Sequence, residues 1–91
     1  MKTERKKRRR IKFQIQADLN STVSVAGSFN GWDPKKHVLK YKDGVFTLSM
    51  LLEPGTYQYK FVVNDVWCID PACPGWAPNE HGSMNSVLVV G

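Results

Sequence analysis

Apolar and polar residues alternate along most of this chain, in short segments that are separated by turn residues. Alternation puts successive side chains on opposite faces of a β-strand, and no segment has the periodicity of an amphipathic helix. The pattern predicts an all-β protein, an antiparallel β-sandwich of about seven strands that we expect to be immunoglobulin-like (early set). The predicted strands span residues 11–17, 22–29, 37–41, 45–52, 56–63, 66–69 and 86–90.

Turn residues indicate how these strands connect. Asn64-Asp65, Asp43-Gly44 and Pro54-Gly55 each fall between two alternating segments. Residues 70–79 contain three prolines, so we expect a loop there and no strand. In the strand predicted for residues 45–52, the inward face consists of Phe46, Leu48, Met50 and Leu52.

The strand that ends at Val63 has aromatic or aliphatic residues at its odd positions, so Lys60 points away from the core. If Asn64-Asp65 closes a two-residue hairpin, Val62 faces Trp67 and Lys60 faces Ile69. Trp67 then lies diagonally across from Lys60, within reach of a long side chain. The pattern therefore predicts an indole and an ammonium group together on the outer face of a sheet.

Trp32 lies in the turn formed by residues 27–34, and Trp67 follows another tight turn. An indole held at a turn beside polar groups suits a sugar, because the ring stacks on the apolar face of a pyranose. Both indoles are equally consistent with a cap over the open end of a small sandwich. Trp76, in the loop of residues 70–79, either extends such a surface or packs the loop onto the sandwich.

Three segments carry a resemblance to a known family: GSFNGWD (27–33), EPGTYQYKFVVNDVWCIDP (53–71) and HGSMNSVLVV (81–90). They resemble the glycogen-binding module of the AMP-activated protein kinase β subunit. They also resemble the N-terminal modules of isoamylases and branching enzymes, the family 48 carbohydrate-binding modules. The likeness covers roughly residues 11 to 90.

The resemblance implies that Trp32 and Trp67 stack on α-linked glucose units, while Lys60 and Asn85 form hydrogen bonds with their hydroxyl groups. Ser83 matches a hydroxyl position in the closing loop. The expected function is therefore non-catalytic binding of α-1,4-linked glucan, as in glycogen, starch or maltooligosaccharides.

His81 departs from the family pattern, because it stands where the kinase-subunit modules carry a leucine that props the glucan from inside. A histidine at this position is expected to stack on the sugar or to form a hydrogen bond with it.

The 91 residues allow one domain, and the net charge of +5 is unevenly distributed. Residues 1–12 carry a formal charge of +7, and the remaining 79 carry −2. We therefore expect a basic flexible arm over residues 1–10 and a glycogen-binding sandwich over residues 11–91. A mildly acidic domain does not indicate nucleic-acid binding. The arm is either simply solvated or makes a weak contact with RNA, DNA, anionic lipid or a phosphorylated polymer.

Neither a signal sequence nor a long apolar segment is recognisable, so we expect a cytoplasmic protein without a membrane span. In such a compartment Cys68 and Cys73 are expected as free thiols, with a disulfide or a metal ligand as the other readings. The predicted site contains no metal and no cofactor.

No enzyme activity is expected. The acids fall mostly in turns, and no pattern indicates the paired carboxylates of a glycosidase or a phosphate-binding loop. The rival function is a protein-interaction or scaffold sandwich whose basic arm or sheet edge binds nucleic acid, another polyanion or a protein. Whether the chain has a catalytic or kinase partner stays open at this stage.

Overall fold

The structure, a computed structural model, describes residues 7–91. The described residues contain eight strands in two antiparallel sheets, which confirms the all-β sandwich. The strands are β1 (Arg9–Ile15), β2 (Val23–Gly27), β3 (Lys40–Lys42), β4 (Val45–Leu52), β5 (Gly55–Val63), β6 (Val66–Cys68), β7 (Trp76–Pro78) and β8 (Met84–Val90). The three-stranded sheet has the order β1-β4-β3, and the five-stranded sheet has the order β2-β5-β8-β7, with β6 also paired to β5.

The inner faces of the two sheets form one hydrophobic core. Phe13 from the three-stranded sheet packs edge-on against Tyr59 from the five-stranded sheet, with ring centroids 5.1 Å apart. The predicted inward face of β4 is confirmed, because Phe46 and Leu52 are buried and Leu48 and Met50 pack against the core. Other buried members of this core are Val23, Val25, Leu39, Phe61 and Val90. The core leaves the alternate residues of β5 on the outer face.

Two of the predicted hairpins have the backbone that their sequences indicate. Asn64 and Asp65 have φ angles of 50° and 68°, and Asp43 and Gly44 have φ angles of 51° and 93°. Positive φ at both central residues is the type I′ turn, whose twist matches that of the flanking strands. The turns therefore fix the register on either side of them.

The register predicted between β5 and β6 is confirmed at Val62 and Trp67. The expected pair of Lys60 with Ile69 is wrong, because β6 ends at Cys68. On this edge, the first five residues of β5, Gly55 to Tyr59, pair with β8 instead. The chain leaves the ladder at Asp70, whose N–H donates to Ser86 Oγ across 2.9 Å.

Strand boundaries differ from the prediction at several places. β1 begins at Arg9, two residues early, so Arg9 and Arg10 belong to a strand rather than to the predicted arm. The segment predicted for residues 37–41 is reduced to β3 and an isolated bridge between Val38 and Ser24. Residues 1–6 of the predicted arm lie outside the described residues.

Residues 70–79 were predicted to form a loop without a strand. This prediction is wrong, because β7 lies there. β7 is a three-residue edge strand, and β8 is its only partner among residues 7–91. Pro78 is tolerated in it because an edge strand needs hydrogen bonds on one side only. Proline content alone therefore misidentified the segment.

Cys68 and Cys73 are both free thiols and half-buried. Burial is the main cause that raises the pKa of the Cys68 thiol. The positive charge of Lys60 lowers this pKa and the negative charge of Asp70 raises it, and the net shift is upward. Within residues 7–91, no group of three or more His, Cys, Asp or Glu residues is arranged to hold a metal ion. The same part of the chain contains no helix long and apolar enough to cross a membrane.

Candidate functional site

A groove of about 940 Å³ lies on the outer face of the five-stranded sheet. Six of its lining residues are the ones singled out from the sequence, namely Trp32, Lys60, Trp67, His81, Ser83 and Asn85. The others are Ser28, Thr56, Gln58, Asn79 and Glu80. The fold thus brings together residues from the turn after β2, from β5, from β6, from the segment between β7 and β8, and from β8 itself.

The turn that carries Trp32 is held by a buried asparagine. Asn30 Oδ1 accepts a hydrogen bond from the Gly27 N–H at 3.0 Å, and Asn30 Nδ2 lies 3.1 Å from Val25 O and 2.9 Å from His37 Nδ1. The Trp32 N–H donates to Gly27 O across 2.9 Å. Trp32 has a φ angle of 61°, in the left-handed region that costs a non-glycine residue about 1–2 kcal/mol. The surrounding hydrogen bonds keep its indole at the groove in spite of this cost.

Trp67 reaches the groove from β6. Its partner across the ladder is Val62, and Lys60 lies two residues further along β5 on the same face. The indole is 43% exposed, so the hairpin presents it to solvent rather than to the core. Trp67 and Lys60 therefore have the diagonal relationship predicted from the sequence, although β6 has ended before it reaches Lys60.

The polar groups of the groove form a connected set. Lys60 Nζ donates to Ser83 Oγ at 2.7 Å, which leaves two of its three N–H groups for another acceptor. Asn85 Nδ2 donates to Gln58 Oε1 at 3.0 Å, and Asn85 Oδ1 accepts from Asn79 Nδ2 at 3.0 Å. Asn85 is only 7% exposed, so it lies at the floor of the groove with its amide held on both sides.

Asn79 also shapes the loop at the rim. Its Oδ1 accepts hydrogen bonds from the backbone N–H groups of His81 at 2.9 Å and Ser83 at 3.1 Å. The His81 side chain is 82% exposed, and its Nε2 lies 4.0 Å from Glu80 Oε1. His81 therefore lines the groove from its rim and is free to move toward a ligand.

Sequence reasoning missed five lining residues. Gln58 and Thr56 lie on the same face as Lys60, so the alternation of β5 was the signal that identifies them. Ser28 follows the buried Gly27, and its N–H donates to Gln58 O across 2.9 Å. Asn79 and Glu80 belong to a loop without periodicity, and no pattern in the sequence marked them.

Trp76 lies elsewhere, so its interpretation as an extension of this surface is wrong. It pairs with Ser86, which in turn pairs with the core residue Tyr59, so all three belong to the inner face of the sheet. Trp76 is 53% exposed at the edge of that face. The reason is register, because a residue one position away on β7 would have faced outward.

Beneath the groove, Tyr59 anchors β5 to the segment that follows β6. Its hydroxyl donates to Asp70 Oδ2 at 2.7 Å, and Asp70 Oδ1 accepts from the Ala72 N–H at 2.9 Å. Burial of the ring and then this hydrogen bond to Asp70 raise the pKa of Tyr59 above its ordinary value. The protonated phenol thus satisfies a buried carboxylate directly under the functional face.

Known proteins are similar to this chain over most of its length. The family described as the glycogen recognition site of AMP-activated protein kinase matches residues 9–91. Protein PTST homolog 2, chloroplastic, of Arabidopsis thaliana is 39% identical over 70 residues, which cover 77% of this chain and 13% of that protein. The 5'-AMP-activated protein kinase subunit beta of Schizosaccharomyces pombe is 37% identical over 68 residues, which cover 75% of this chain and 22% of that protein.

The chain spans less than a quarter of the length of each of these two relatives. Its match to the family, in contrast, extends over nearly all of its own residues. The chain therefore belongs to the family of the glycogen recognition site of AMP-activated protein kinase, the family 48 carbohydrate-binding modules, and is a non-catalytic carbohydrate-binding module, as the absence of catalytic motifs had led us to expect.

Proposed function

We propose that the chain binds α-1,4-linked glucan such as glycogen or starch, with Trp32 and Trp67 stacking on glucose rings. One observation carries the proposal: both indoles line the same groove as the ammonium group of Lys60. Ligand sites are typically concave, with aromatic walls and a few polar groups that fix orientation. A glucan has flat apolar ring faces and hydroxyl rims, and this combination of groups suits it.

Hydrogen bonds to the sugar hydroxyls are assigned to Lys60, Asn85 and Ser83. Lys60 has two N–H groups beyond the one given to Ser83. Asn85 has one N–H and one lone pair left after its bonds to Gln58 and Asn79. His81 is proposed to close over the ligand from the rim, since its side chain is exposed at the groove.

The ligand in this proposal is neutral, so binding releases no counterions and depends little on salt. This property separates it from the rival function, in which a basic arm binds a polyanion. A protein partner is also proposed, since the fission yeast relative is named as a subunit of a protein kinase. The cytoplasmic location expected from the sequence stays a prediction.

Electrophoresis in native gels cast with glycogen tests the proposal, with dextran and a β-1,4-glucan as matched gels. We expect retardation in the glycogen gel alone and the same retardation at low and high salt. Equal retardation in all three gels, or none in glycogen, would contradict binding of α-1,4-linked glucan.

A further inference from the structure

Four basic side chains share the outer face of the three-stranded sheet, on the side of the sandwich opposite the groove. They are Arg10 and Lys12 of β1 and Lys40 and Lys42 of β3, and we call them the cationic face. Between them runs β4, whose residues paired with these four are Leu51, Ser49, Thr47 and Val45. Phe13 of β1 is buried in the core, as is Phe46 of β4, which pairs with Tyr41 between the two lysines of β3. The four basic side chains alternate with these inward positions and therefore point outward.

No ion pair among the described residues neutralises the charge of this face. All four side chains are exposed, and within residues 7–91 none lies within 4.0 Å of a carboxylate oxygen. Asp43, in the turn between β3 and β4, lines one pocket together with Lys12 and Lys42. Lys40 and Lys42 are two residues apart on one strand, about 6.7 Å, and β1 and β3 lie about 9.5 Å apart across β4.

β1 adds a second feature, an open edge. The strand is seven residues long and pairs only with β4 among the described residues, so its other edge has no strand beside it. On the inner side of this strand, Ile11 and Ile15 are only partly buried against the core. A strand added here would find backbone partners, apolar neighbours on its inner side and cations on its outer side.

We infer that the cationic face and the open edge of β1 dock an extended acidic polypeptide segment in which acidic and apolar residues alternate. Such a segment adds to the edge of the sheet by main-chain hydrogen bonds, and its carboxylates meet Arg10 and Lys12 on the same face. Residues two apart in the segment have the same spacing as the cations along β1, so the charges stay in register.

The two features together favour a polypeptide over a nucleic acid. Proteins that bind single strands stack the bases on aromatic side chains, and the described outer face of this sheet carries none. The open backbone edge offers a row of N–H and C=O groups at the spacing of another polypeptide strand. The groove lies on the other sheet, so the acidic segment and the groove's ligand can bind at the same time.

Fluorescence anisotropy of a labelled peptide of alternating glutamate and valine, titrated with the whole chain at low salt, tests the inference. The same glutamate-valine peptide with every backbone nitrogen methylated is the matched ligand, since it has the same charge but offers no N–H to a strand ladder. An oligothymidylate of equal charge and phosphatidylserine vesicles are the competing anions.

The variants are Arg10→Gln/Lys12→Gln and Lys40→Gln/Lys42→Gln. Lys35→Gln/Lys36→Gln, in the exposed turn after β2, is the control, because it changes the net charge by the same amount.

We expect the glutamate-valine peptide to bind more tightly than the other probes and to protect the β1 amides from hydrogen exchange. Arg10→Gln/Lys12→Gln should bind it about fivefold more weakly, as expected for two exposed ion pairs. Lys40 and Lys42 lie about 9.5 Å further from the added strand, so their double variant should lose less affinity, and the control should stay within about twofold.

Equal losses in the control, tighter binding of the oligothymidylate or the vesicles, or equal binding of the N-methylated peptide would each overturn the inference. If the variants keep their peptide affinity but self-associate, the lysines only protect sheet edges from aggregation, and the inference is also wrong.

Discussion

Lys60 Nζ donates a hydrogen bond to Ser83 Oγ across 2.7 Å and thereby joins the centre of β5 to the segment that enters β8. The bond spans 23 positions in the sequence and holds the ammonium group at the groove. A lysine side chain otherwise loses up to about 2 kcal/mol of conformational entropy when it is fixed. Ser83 therefore pre-orders the residue that we propose as the main donor to the sugar.

Lys60→Gln should weaken binding of maltoheptaose by about threefold to tenfold, because a neutral ligand gains only about 0.5–1.5 kcal/mol from such a hydrogen bond. Isothermal titration calorimetry measures the loss, and Lys36→Gln is the control for the change in charge. A loss as large as that for removal of an indole would mean that Lys60 supports the fold.

Asn79→Ala should weaken glucan binding by about threefold to tenfold, because the loop at the rim must then be ordered by the ligand itself. The substitution removes the acceptor of the His81 and Ser83 N–H groups and the donor to Asn85. Hydrogen exchange at the two amides should quicken, whereas Asn20→Ala, on the exposed segment before β2, should change neither measurement. Unchanged exchange at His81 and Ser83 would show that Asn79 does not order the loop.

Gly27→Ala should destabilise the protein by about 1–3 kcal/mol, as an overpacked buried site does. A Cβ atom at this position would lie 2.6 Å from Gln58 O and 2.8 Å from Tyr59 Cβ, and neither atom is free to move. Gly75→Ala is the matched control, since its nearest neighbour would be Val87 Cβ at 3.6 Å. Urea unfolding of the two variants measures the difference, and equal midpoints would show that the turn relaxes at no cost.

Tyr59→Phe should destabilise the protein by about 1–3 kcal/mol at neutral pH, because Asp70 loses its buried donor. Burial and this hydrogen bond raise the pKa of Tyr59 in the folded state, whereas a tyrosine in the unfolded chain has a pKa of about 10. The stabilisation is therefore complete below about pH 10 and is lost as pH rises above that value.

Urea unfolding between neutral pH and alkaline pH checks this behaviour. The difference in unfolding free energy between the wild type and Tyr59→Phe should narrow as the pH rises above about 10. A difference that stays constant over this range would contradict the account of Tyr59.

Features that depend on alternation and turn chemistry could be predicted from the sequence. β4 has the predicted boundaries, the type I′ turn at Asn64-Asp65 fixed the pairing of Val62 with Trp67, and Lys60 lies on the predicted face. These features are local, because a turn type determines register and a strand has a period of two. The resemblance supplied the remaining members of the candidate site.

Features that depend on pairing between distant segments could not be predicted. β7 exists only because β8 offers its edge, and Asn79 reaches the groove only because the loop between them folds back. The face of Trp76 likewise follows from the register between β7 and β8, which no local pattern records. Long-range partners thus decided the parts of the site that sequence periodicity missed.

Substitution of Trp67 tests the central claim most directly, since its indole is exposed at the groove and Trp76 offers a matched control on the other face. We predict that Trp67→Ala weakens binding of glycogen and maltoheptaose by about tenfold to a hundredfold, by analogy with ring stacking on nucleic-acid bases. Trp76→Ala, which removes an indole that is also exposed, should bind like the wild type, and both variants should keep the circular dichroism of the fold. If Trp67→Ala unfolds, or if it binds glucan as tightly as Trp76→Ala does, the indole belongs to the fold and the groove is not the glucan site.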